Sequence, residues 1–133
     1  MKKLIILLLL LSAITVVHAQ AIPQKGAAII ALTPDATKKV LADVQQGKAY
    51  LVDVRTPEEY NKEHLKYASN INIKGADFDG QIKKLDKNKP VYLYCHSGKR
   101  SGKATDFLQT LGYHQSYNIG ALDSLTKAGF PVQ

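Results

Sequence analysis

The single cysteine of this chain, Cys95, ends a β-branched and aromatic run, Val91-Tyr92-Leu93-Tyr94, and is followed at once by His96-Ser97-Gly98-Lys99-Arg100-Ser101. A strand, a glycine-bearing loop and a new helical pattern point the N–H groups of the loop and first turn back at the strand's last residue. The helix dipole and the cations Lys99 and Arg100 add positive potential there. A thiol so placed is expected to ionise readily, and the thiolate is the nucleophilic form. The chemistry this predicts is attack by sulfur, with a covalent intermediate on Cys95. A lone cysteine is more commonly a buried packing residue. Its place before Gly-Lys-Arg favours the reactive reading.

The residues around it divide by type. Gly98 is expected to build the loop, through a positive φ or a close backbone approach. Cations at a helix start oppose the dipole, so Lys99 and Arg100 are assigned to attracting an anionic substrate. His96 invites a Cys–His pair, but adjacent residues on a tight loop seldom bond through their side chains, and no base role is assigned to it. His64 and His114 are read as structural or exposed. No His, Asp or Cys group has metal-ligand spacing, and no phosphate or dinucleotide fingerprint is present, so neither metal nor cofactor is expected.

The elements that must position this loop follow from caps and periodicity. Thr33-Pro34-Asp35 starts a helix, with Val40, Leu41 and Val44 at helical spacing and Gly47 closing it. Ala49 to Val54 is apolar at nearly every position, as a strand buried on both faces should be. Thr56-Pro57-Glu58-Glu59 is a capping box opening a short helix to about His64. A brief strand at Ile71 to Ile73, a helix from Phe78 to Leu85 and the strand Val91 to Tyr94 come next. Ser101 to Leu111 reads as a helix stopped by Gly112, Gln115 to Asn118 as a weak strand, and Ala121 to Ala128 as a last helix. Strands alternating with helices predict an α/β fold, a central parallel sheet with helices on both faces. Ligands in such folds sit beyond the carboxyl ends of the strands. That places Asp53, Arg55 and the Cys95 loop on one rim.

With 133 residues the chain suits one domain. Met1-Lys2-Lys3, an apolar run from Leu4 and Val17-His18-Ala19 form the pattern of a signal peptide over residues 1–19. The run is short for a spanning helix, so no stable membrane anchor is expected, and the protein is read as exported, periplasmic or secreted. Residues 20–32 read as an arm with a possible edge strand at Ala27 to Leu32, and 33–133 as the domain. Loss of Lys2 and Lys3 would take the net charge from +7 to +5. The lysines are dispersed, without the stacking aromatics of a nucleic-acid site. One cysteine allows no internal disulfide.

Three segments resemble a known family. Leu51-Val52-Asp53-Val54-Arg55-Thr56-Pro57-Glu58-Glu59-Tyr60 with His64-Leu65 is similar to the front signature of rhodanese-like domains. Tyr94 to Ser101 resembles their active-site loop, and Leu111-Gly112-Tyr113, Asn118-Ile119-Gly120 and Ala128 to Val132 resemble their closing segment. The chain departs from the family pattern at Glu63, Ala121 and Leu125. The resemblance implies a single-domain thiosulfate sulfurtransferase. Cys95 would take a sulfane sulfur from a small anionic donor and pass it, as a persulfide, to cyanide or a thiol. His96, Ser97, Gly98, Lys99 and Arg100 would bind substrate, with their backbone amides cradling the outer sulfur. Asp53, Arg55 and Ser101 would support the loop. A protein acceptor is not identified by the resemblance.

Two rival readings differ in class. A cysteine phosphatase has five residues between its cysteine and arginine, and four separate Cys95 from Arg100, a smaller cradle. A non-catalytic module binding sulfur or a partner is the other, and the retained Cys95 speaks against it.

Overall fold

The computed structural model describes residues 26–133. The signal peptide expected at residues 1–19, and the arm up to residue 25, lie outside the described residues. Helix α1 spans Pro34–Gln45, β1 Tyr50–Asp53, α2 Pro57–Lys62, β2 Ser69–Asn70, α3 Phe78–Ile82, β3 Val91–Cys95, α4 Lys99–Thr110, β4 Ser116–Ala121 and α5 Leu122–Lys127. The four strands form one parallel sheet in the order β2-β1-β3-β4.

Alternation along the strands feeds two cores. Val52, Val54, Val91, Leu93 and Cys95 face Ile82 of α3 and Ala104 and Leu108 of α4. Leu51, Tyr94 and Ile119 face Val40 of α1, Leu125 of α5, Leu65 and Phe130. Burial of each valine, leucine, isoleucine or phenylalanine among them stabilises by about 1.5–3 kcal/mol. The sheet is therefore covered by helices on both faces, as the alternating pattern predicts.

Several element bounds differ from the sequence reading. Strand β2 lies at Ser69–Asn70, ahead of the expected Ile71 to Ile73. Ile71 still donates to the carbonyl of Asp53, the last residue of β1, and Ile73 to that of Val54 just past it. Helix α3 ends at Ile82 instead of Leu85. Strand β4 runs on to Ala121, because a bulge opposite Leu93 and Tyr94 carries it past Ile119. The arm makes one parallel bridge, Ile29 to Asn118, in place of a full edge strand, with the Ile30 N–H donating to the Asn118 carbonyl at 2.8 Å. Among the described residues no helix is long and apolar enough to cross a membrane.

Candidate active site

Asp53 and Cys95 end neighbouring parallel strands, so the rim at their carboxyl edge collects the front motif and the cysteine loop. Helix α4 starts at Lys99, two residues earlier than its apolar pattern suggests, and its N-cap is Gly98 in the left-handed region at φ 88°. A side chain there would be strained, and its Cβ would also lie 2.6 Å from Cδ1 of Ile29. Both loop-building roles expected of Gly98 are thus visible at one residue.

This tight turn brings donors to the sulfur. Cys95 is fully buried. Its Sγ accepts from the Gly98 N–H at 3.0 Å and lies 3.4 Å from the Ser101 hydroxyl. Burial alone would push the thiol's pKa up. The Ser101 hydroxyl, with the backbone N–H groups of Ser101, Ser97 and Gly98, outweighs it and holds the pKa below the ordinary value. The groups that stabilise the sulfur anion are thus neutral dipoles, fixed before any substrate arrives.

The side chains of His96, Ser97 and Lys99 are exposed, and the Ser97 hydroxyl accepts the Lys99 N–H at 3.4 Å. Arg100, expected to attract an anionic substrate, is paired within the protein. It is not a free cation awaiting an anion: its Nη1 and Nη2 donate to Oε2 and Oε1 of Glu59 at 2.7 and 2.8 Å. Two parallel bonds of this kind fix geometry as well as charge, so Arg100 fastens the loop to α2. On the Glu59 side, the guanidinium chiefly, opposed by burial and aided by Thr56, holds the carboxyl down at about 2. The cations left facing solvent beside the loop are Lys99 and Lys103. With Arg100 they border a cleft of about 570 Å³ whose opposite wall is Ala27 and Ile29. Cys95 does not line that cleft.

Asp53 and Arg55 form a buried pair below the loop. The carboxylate accepts the Arg55 backbone N–H at 2.9 Å, Nε at 3.0 and 3.1 Å, and Nη2 at 2.7 Å. Nη2 also donates to the Glu63 carbonyl at 2.6 Å, and the guanidinium lies 5.9 Å from the centroid of the Tyr94 ring. The pair therefore joins the end of β1 to the end of α2 beneath the residue before Cys95. Removing one partner would strand a buried charge. His64 stacks on Tyr60 with centroids 3.7 Å apart, and His114 is exposed. Among the described residues no group of three His, Cys, Asp or Glu side chains is placed to hold a metal ion.

Two residues that the sequence reading left outside the site belong to it. Glu59 was visible only as the second half of a capping box, and that box is present, with the Thr56 N–H on Oε2 at 3.1 Å and the Glu59 N–H on Oγ1 at 3.3 Å. Asn118 is fully buried in β4 and bonded to both Gly98 and Ser101. Its signal was its type, since asparagine is disfavoured inside strands.

Comparison with known proteins agrees with this architecture. Over 74 residues the chain is 38% identical to the thiosulfate sulfurtransferase PspE of Escherichia coli, covering 56% of this chain and 71% of that protein. It is 27% identical over 94 residues to the thiosulfate sulfurtransferase GlpE of Vibrio cholerae, covering 69% of this chain and 86% of the relative. A solved structure described as a rhodanese with anions from E. coli superposes with a TM-score of 0.54 at 33% identity, over 64% of this chain and 96% of that one. The model of the rhodanese-like domain matches residues 35–124, from the start of α1 into α5, and the chain belongs to that family.

Proposed function

We propose that the protein is an exported thiosulfate sulfurtransferase, which moves a sulfane sulfur to cyanide or a thiol through a persulfide on Cys95. The observation that carries this reading is the Cys95 sulfur, held by the Gly98 N–H and the Ser101 hydroxyl with its pKa below the ordinary thiol value. Its thiosulfate sulfurtransferase relatives support the same class. The Cys95 thiolate attacks the outer sulfur of thiosulfate. A sulfur–sulfur bond forms to Cys95 as the bond to the sulfonate sulfur breaks, and sulfite leaves with the electron pair. Sulfite departs as an anion, so the step asks for no general acid. The persulfide keeps one negative charge, now on the outer sulfur, where loop amides can receive it. Cyanide then attacks that outer sulfur, thiocyanate leaves, and the Cys95 thiolate returns. Lys99 and Lys103 raise the local concentration of the anionic donor. A persulfide or a protein thiol in place of either small molecule uses the same two steps.

Export rests on the leader pattern of residues 1–19. One measurement addresses both parts. Intact mass spectrometry of protein expressed from the full sequence, before and after thiosulfate, should show a gain of one sulfur atom that cyanide reverses. Cys95→Ser should show no gain. A mass starting at Gln20, or at Ile22 after a cut at Ala21, supports export, and one starting at Met1 counts against it. No sulfur gain in folded protein would remove the sulfurtransferase reading.

A further inference from the structure

Asn118 sits in an otherwise apolar stretch of β4 and is fully buried, so every polar group it carries needs a partner. Its side chain has two N–H donors and two acceptor sites, and all four are used. Nδ2 donates to the Ala27 carbonyl at 3.0 Å and the Gly98 carbonyl at 2.9 Å. Oδ1 accepts from the Ser101 hydroxyl at 2.7 Å and from the Gly120 N–H at 3.1 Å. The two carbonyls and the Gly120 N–H admit only one orientation of the amide. The bulge beside it, with Leu93 opposite Asn118 and Tyr94 opposite Gly120, aims the side chain at the loop.

The Ser101 hydroxyl has one hydrogen and two acceptors within reach, Oδ1 at 2.7 Å and the Cys95 Sγ at 3.4 Å. Against a neutral thiol, the amide oxygen at the shorter distance is the better acceptor of the hydroxyl hydrogen. When the thiol loses its proton, the sulfur becomes the stronger acceptor. Oδ1 can release the hydroxyl because the Gly120 N–H still satisfies it. We propose that Asn118 is a positioning residue of this site: its amide fixes the Gly98 carbonyl and holds the Ser101 hydroxyl as a donor that turns to the Cys95 sulfur on ionisation. The proposal rests on the reading of Cys95 as the nucleophile.

The test reads thiol acidity by the pH dependence of iodoacetamide alkylation, which needs no sulfur donor, so its result is separable from failure of persulfide formation. Asn118→Asp keeps the shape, replaces the Gly98 donor by an acceptor and gives Ser101 a carboxylate to hold. Its alkylation midpoint should rise by about one pH unit or more. Ser101→Ala should also raise the midpoint, and the two shifts should be less than additive, because both remove the same hydroxyl from the sulfur. An unmoved midpoint in Asn118→Asp, or additive shifts, would overturn the proposal. A second measurement covers the case in which Asn118→Asp does not fold. In ¹⁵N-labelled wild-type protein the Asn118 side-chain amide signals should titrate at the alkylation midpoint of Cys95, and in Ser101→Ala that response should shrink several-fold. Equal responses with and without the hydroxyl would overturn it as well.

Discussion

Glu59 does two jobs with one carboxylate. It closes the capping box of α2 and it receives the guanidinium of Arg100 from the cysteine loop. Its carboxyl is held at about 2, against an ordinary value of 4.5. A depressed carboxyl stabilises the fold above its unfolded pKa and loses that contribution as pH falls towards the folded one. The window is therefore from 4.5 down to about 2. The side chain is 33% exposed, so solvent screens part of the effect. Glu59→Gln should cost about 1 kcal/mol in urea unfolding at neutral pH and flatten the acid limb across that window. An acid limb as steep as wild type would show that the pair adds nothing to stability. The same residues show where the sequence was readable. Cys95 stood out by type and place. Arg100 did not, because its partner lies far back in the chain and nothing local distinguishes a paired arginine from a free one.

At the scale of elements, the start of α4 decides the site. The apolar pattern suggested a start at Ser101, and two cations in a first turn look unfavourable. The structure resolves the conflict with Gly98 as a left-handed N-cap and Glu59 as the counter-ion of Arg100. Gly98→Ala should destabilise by about 1–2 kcal/mol through its positive φ. It should also slow alkylation of Cys95 near neutral pH, since the Gly98 N–H leaves the sulfur. Ile29 is 55% exposed and free to swing aside, so adding Ile29→Ala should not restore either property. Recovery in the double variant would mean that the crowded Ile29, and not the backbone, sets the conformation. Caps and apolar periodicity located every helix of the described residues to within a few positions. The short β2 and the bulged β4 were misplaced because pairing at strand ends depends on the neighbouring strand, not on local composition.

For the molecule as a whole, alternation of strands and helices was enough to foresee a covered parallel sheet, while the strand order and the arm's contacts with β4 and the loop came only from the structure. The groups nearest the Cys95 sulfur, with Asn118 behind them, all lie in the crossover β3-α4-β4. From the other half of the chain Glu59 reaches the loop through Arg100, and Arg55, paired with Asp53, lies against Tyr94 of β3. That division has a kinetic consequence. A crossover whose contacts are close in sequence closes at low entropic cost, and such contacts tend to be formed in the folding transition state. Leu108→Ala, in α4, should therefore slow refolding nearly in proportion to its stability loss of about 2–5 kcal/mol. Val40→Ala, in α1, should act mainly by speeding unfolding. Chevron plots of the two variants measure this, and the reverse pattern would place the nucleus in the front half. A chain that folds in the expected order assembles its sulfur cradle first and fastens it with Glu59 and Arg100 last, so the nucleophile is shaped before it is locked.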